Sequence, residues 1–274
     1  MLVFQRGKIK ALALLVIVAM CAGLCGCGKA EPETPATALA AQIHPEHLAN
    51  LAFSDQQRLF WDYYTYFVME DDRFLYHTEE LRNLPDFAPG EQPDWEQAGR
   101  FLLDFTSFWY DAEGYVCWNA ADLQQAADIL LPGYIVLPQD NGWILYHPAQ
   151  DGQKAYYQAM GWDAVGGVYY RLNTPVTEKA GVYTACFTGY AVGEFWQEEL
   201  DFAPAENNDA KLCQIALSRG IDPYNFDLAA ELPAIIDAGE LTPCEEITVT
   251  FRLSGDGDLP LSYTSCERTE LATN

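Results

Sequence analysis

Positive charge is scarce in this chain: 15 Lys and Arg stand against 40 Asp and Glu over 274 residues, a formal charge of −25. Such a surface repels phosphate backbones and anionic headgroups, so nucleic acid is not an expected partner. Gly-x-Ser-x-Gly, His-Glu-x-x-His and a phosphate-cradling glycine loop are all missing, which removes the motif-based routes to a serine hydrolase, a zinc peptidase or a nucleotide-binding enzyme. No Cys-x-x-Cys occurs after residue 27, so zinc-ribbon and thioredoxin-like readings lack their key spacing. No cofactor motif replaces them. Long repeats and low-complexity tracts are absent as well, and the single apolar run, Ala11 to about Leu24, is shorter than the about 20 residues a membrane helix wants.

Core-forming residues are plentiful. Half of the chain is hydrophobic and 14% aromatic, with 7 Trp, 16 Tyr and 14 Phe, which rules out a disordered acidic tail. The length suits one large domain or two small ones.

Arg6, Lys8 and Lys10 precede the apolar run as a charged n-region, and the run ends in Leu24-Cys25-Gly26-Cys27. Leu, then Gly, then Cys at these positions resembles the lipobox of bacterial lipoproteins. The resemblance implies cleavage between Gly26 and Cys27, acylation of Cys27, and attachment to the extracytoplasmic face of the cell membrane. Each buried acyl methylene contributes roughly 0.8 kcal/mol, so two chains on one cysteine anchor durably. Cys21 and Cys25 lack the small residue immediately before them. A plain secretory signal, using Ala19, Ala22 or Gly23, is the alternative. Residues 27–42 read as a flexible tether, and residues 43–274 as one domain with a helical part (43–112) and a sheet-rich part (113–274). Removal of residues 1–26 leaves 12 Lys and Arg against the same 40 acids, a net charge of −28.

Ser54 and Gln57 form a capping box ahead of Leu59, Phe60, Tyr63, Tyr64 and Phe67, which predicts a helix over 55–71. A second helix should start near Pro93-Asp94 and carry Trp95, Phe101, Leu102, Phe105 and Trp109, after a long loop around 85–93. Tyr115 to Trp118 reads as a strand, with Asn119 capping a helix over 120–131 that Pro132-Gly133 ends. Strands are expected at 134–137, 143–147, 167–172 and 182–192. A helix follows over 208–219, capped by Asn207 or Asn208, and a short one over 226–238 contains Pro233. The final hairpin matches Phe251 with Leu261 and Val249 with Tyr263 through a turn at Gly255-Asp256-Gly257.

Cys117, Cys186, Cys213, Cys244 and Cys266 remain after the signal and Cys27, and five cannot all pair internally. Cys244 and Cys266 are the candidate disulfide, although that register leaves them diagonal, at roughly 7 Å, where a disulfide wants β-carbons about 3.8 Å apart. His44 and His47 could share a helical face, but a metal would need a third ligand, so no metal site is assigned. His77 and His147 are isolated, and Ser254 to Asp258 is a turn, not a calcium loop. Asp140, Asp163, Glu194 and Glu198 lie in sequence near Trp143, Trp162 and Trp196, a combination that suits sugars. None is assigned as catalytic.

The element order predicts an α+β fold in which N-terminal helices pack on a mainly antiparallel curved sheet. Helices first and a long hairpin last is similar to cystatin-like and nuclear-transport-factor-like folds. The expected function is a membrane-anchored lipoprotein whose domain binds an envelope partner or small ligand without catalysis. The alternative is an envelope hydrolase of glycan or peptide, using a carboxylate pair.

Overall fold

From Tyr183 to Gly189 buried and half-buried side chains alternate, the period of two of a strand with one face on a core. This is β9 (Val182–Val192), an interior strand of the largest sheet. The computed structural model describes residues 48–65, 67–70, 73–111, 115–148, 154–158, 167–193, 196–198, 207–255 and 260–272, all within one unit, Pro35–Asn274. Cys27, His44, His47, Trp162, Asp163, Glu194, Asp256 and Gly257 lie outside the described residues.

The first half holds α1 (Phe53–Tyr64), β1 (Phe67–Glu70), β2 (Arg73–Tyr76), α2 (His77–Asn83), α3 (Trp95–Leu103), β3 (Phe108–Tyr110), β4 (Val116–Asn119) and α4 (Ala120–Leu130). Then come β5 (Ile144–Pro148), β6 (Lys154–Gln158), β7 (Gly167–Leu172), β8 (Thr177–Lys179), β9, α5 (Asn208–Ser218), α6 (Leu228–Asp237), β10 (Glu245–Leu253) and β11 (Leu261–Glu270). The class is α+β, and every described strand pair is antiparallel. Among the described residues there are three sheets where one was expected. They are β1–β2, the order β3-β4-β6-β5, and the order β11-β10-β9-β7 with β8 also on β9.

The main core lies between α1 and the inner face of the large sheet. Phe60 meets Phe187 edge-on at 5.5 Å and Phe251 at 6.1 Å, and Tyr183 stacks on Phe251 at 5.5 Å. A smaller cluster gathers Trp61, Trp196, Leu212, Phe226, Leu232 and Ile235 around α5 and α6. The outer edge of β11 is partly covered, because Phe87 exchanges both backbone hydrogen bonds with Cys266 at 2.9 Å.

Several expectations change. Ser54 does not cap α1: the N-cap is Ala52, without a side-chain bond, and Gln57 instead donates to the Leu172 carbonyl at 3.0 Å. The helix stops at Tyr64, where Thr65 turns its hydroxyl onto the Trp61 carbonyl, and Phe67–Glu70 pairs with Arg73–Tyr76. Helix α2 was not anticipated. Trp109 lies in β3 and is exposed, not on the second helix. Residues 134–137 form no strand because Gln124 binds their backbone, donating to Tyr134 O and accepting from Val136 N.

The terminal hairpin pairs Leu253 with Leu261 and Phe251 with Tyr263, then shifts register between Thr250 and Phe251, so that Val249 faces Cys266. This register, with Leu253 and not Phe251 opposite Leu261, separates the candidate disulfide, and the bulge adds one residue more. Cys244 sits beside Leu271, whose N–H donates to its carbonyl, and both Cys244 and Cys266 are free thiols.

Candidate binding cleft

Helix α3 starts where Asp94 accepts the Glu96 N–H at 2.8 Å, the side-chain cap expected of an Asp before an apolar-periodic run. Trp95, Ala98, Phe101 and Leu102 face the core, which leaves Glu96, Gln97 and Arg100 on the outer face. A loop over 139–143 is fastened to this helix. Asn141 donates to the Trp95 carbonyl at 3.1 Å, Trp95 donates its indole N–H to the Gln139 carbonyl at 3.0 Å, and the Asn141 side-chain oxygen accepts the N–H groups of Trp143 and Ile144.

Glycine is needed at one contact of this seam. A β-carbon on Gly99 would come within 2.5 Å of Asn141 Nδ2, which is held by its bond to the Trp95 carbonyl, whereas Gly142 meets only the movable end of Glu96. The fastened loop carries Trp143 to Arg100, whose guanidinium carbon lies 4.4 Å from the indole centroid, a cation–π contact. Trp143 stays 38% exposed, with Arg100 over one of its two faces.

Arg100 and Trp143 border an open cleft of about 490 Å³, whose far wall is the end of α2 and the segment 84–86. That volume lies within the roughly 300–1,000 Å³ of small-molecule sites. Arg268 supports this wall from β11. It donates to the carbonyls of Leu81 and Leu84, which end α2, and to Glu245 Oε2 at 2.9 Å, and it pairs with Asp86 at 3.5 Å. Burial opposes its charge, but Tyr170 and Glu245 more than compensate and raise its pKa.

Two of the cleft's carboxylates are tied into the scaffold: Asp86 to Arg268, and Asp94 to the helix start. Gln97 accepts the Asp86 N–H at 3.1 Å through its oxygen, which leaves its NH₂ facing outward from that bond. Behind the cleft a second polar group is sealed off. Glu80 is completely buried and accepts the Tyr263 hydroxyl, which lies 3.1 Å from that of Tyr64.

Among the described residues, Trp143 is the one of the carboxylates and tryptophans grouped in the sequence that lies at the cleft. Asp140 braces its loop by accepting the Tyr146 N–H at 2.8 Å. Trp196 is buried in the smaller core against Phe226, and Glu198 belongs to the same short turn. Glu96, Gln97 and Arg100 were missed; polar residues one and four apart between buried apolar ones were the available signal. Among the described residues, no group of three His, Cys, Asp or Glu is placed to hold a metal, and no helix is long and apolar enough to cross a membrane. No family model, curated protein or solved structure matches the chain.

Proposed function

We propose that the chain is a lipoprotein held by acylated Cys27 at the extracytoplasmic face of the cell membrane, and that its domain binds an envelope partner without catalysis. The observation that carries the binding reading is the open cleft with the fastened Trp143 on its lip. Binding needs an accessible platform and fixed polar groups, whereas glycoside hydrolysis needs two carboxylates free to exchange protons, roughly 5 to 9.5 Å apart. Asp86 and Asp94 already serve the scaffold. The net negative charge keeps the domain away from anionic headgroups at the end of its tether.

The test incubates the purified full-length protein, in detergent, with detergent-washed cell-wall material. A binder sediments with the wall saturably and releases no soluble sugar or peptide. Fragments that accumulate with time and protein concentration would replace this reading with the envelope hydrolase. A chain that stays in the supernatant would remove the wall as its partner.

A further inference from the structure

We infer that the ligand of this cleft is an uncharged, hydroxyl-rich glycan that lays a sugar ring on Trp143; the inference rests on reading the domain as a binder. The first argument is charge. The chain carries −25 overall, yet the cleft is balanced, with Arg82, Arg100 and Arg268 against Asp86, Asp94 and Glu96. An anionic ligand would meet Glu96 and Asp94, and a cationic one would meet Arg100. A neutral polar ligand meets neither penalty.

The second argument is hydrogen-bonding capacity. Among the described residues, the Glu96 carboxylate, the Gln97 NH₂ and the Arg100 N–H groups have no hydrogen-bond partner within the protein. One is an acceptor and two are donors, held together on one face of α3. An apolar ligand would leave all three dehydrated and unpaired. Sugar hydroxyls donate and accept at the same atom, so one ring edge satisfies both kinds.

The third argument is shape. A pyranose has an apolar C–H face that stacks on an aromatic ring. Arg100 already lies over one face of Trp143, fixing the indole orientation and assigning the sugar to the opposite face, and Asn141 fixes the backbone that carries it. A platform held before binding loses little entropy when the ligand arrives. Extended peptides without proline also carry donors and acceptors, but they present no ring C–H face to the indole.

The experiment titrates the full-length protein in detergent by calorimetry with neutral oligosaccharides of β-glucose, N-acetylglucosamine, α-glucose, xylose and mannose. Polygalacturonate oligomers and a Gly-Ser peptide serve as the charged and peptide comparisons. The expected result is binding to at least one neutral oligosaccharide, weakened about tenfold or more by Trp143→Ala and by Glu96→Ala. Both substitutions are on the surface, so unchanged thermal unfolding certifies the fold. Gln97→Ala is the replacement should either variant unfold. Binding of none of the neutral sugars, of polygalacturonate alone or of the peptide alone would overturn the inference. So would binding that the variants leave intact. Cell-wall sedimentation that persists while every neutral sugar fails would retain the binder and discard only the glycan.

Discussion

Tyr263 on β11 donates its phenol hydroxyl to Glu80 on α2, joining two residues 183 positions apart inside the core. Glu80 has no contact with water, so its bonds to protein must replace those it would make in solvent. Tyr263→Phe removes one donor without changing the ring that packs against Phe101. The expected loss is about 1–3 kcal/mol, read from the urea unfolding midpoint. An unchanged midpoint would mean that the hydroxyl contributes nothing there.

The same cluster sets an alkaline limit on stability. Burial first, and then Glu80, push the phenols of Tyr63 and Tyr263 well above their ordinary value of 10.0. In the unfolded chain these groups release protons near pH 10, while the folded chain retains them. Their contribution is therefore complete below pH 10 and declines as pH rises further, by up to about 1.4 kcal/mol per pH unit for each phenol. Tyr63→Phe should make the fall above pH 10 shallower; an unaltered slope would contradict the assignment.

Ala180 lies at φ 55° and Gly181 at φ 75° in the two-residue turn joining β8 to β9. Both central residues of such a turn need positive φ, which is strained for alanine by roughly 1–2 kcal/mol. Ala180→Asn should raise stability by roughly 0.5–1 kcal/mol, measured by chemical denaturation, with no change in the fold. A loss of stability would argue against this turn.

Burial pushes the Cys266 thiol up to about 12, even though Arg268 beside it acts in the opposite direction. Little thiolate is then present at pH 8. Under native conditions iodoacetamide should modify the half-buried Cys186 well before Cys266, and both Cys244 and Cys266 should be alkylated once the unreduced protein is unfolded. A Cys244–Cys266 cross-linked peptide would contradict the register of the terminal hairpin.

Local signals in the sequence were the readable ones. Asp94, Asn119 and Asn207 each cap the following helix through their own side chain, a decision made within three residues. Alternation along β7 and β9 likewise marks strands whose inner residues meet one core. Ser54 failed as a cap because neighbouring Gln56 is drawn into the core, where it donates to Leu48 O and accepts from Val176 N, 120 residues away. The hairpin register departs already beside the turn, where Leu253 and not Phe251 stands opposite Leu261, and the bulge at Thr250 shifts it once more. The bridge from Phe87 to Cys266 is a contact that the alternation within the hairpin does not reveal.

The cleft was visible only in part. Trp143 stood out as an aromatic beside acids, but nothing near it in the sequence shows that it would meet Arg100, or that Arg268 would end α2 from the far terminus of the chain. Trp196, grouped with it beside acids in the sequence, is buried. Exposure depends on what packs above a residue, and composition around it does not record that.

Anchoring by Cys27 is the claim on which the placement of this cleft outside the membrane depends. Intact mass and membrane fractionation of the full-length protein, beside a Cys27→Ala variant in a bacterial host, test it most directly. The account predicts a chain that begins at an acylated Cys27 and sediments with membranes, and a variant that is shed or left unprocessed. An unacylated chain, cut at another position in both forms and recovered outside the membrane, would contradict it.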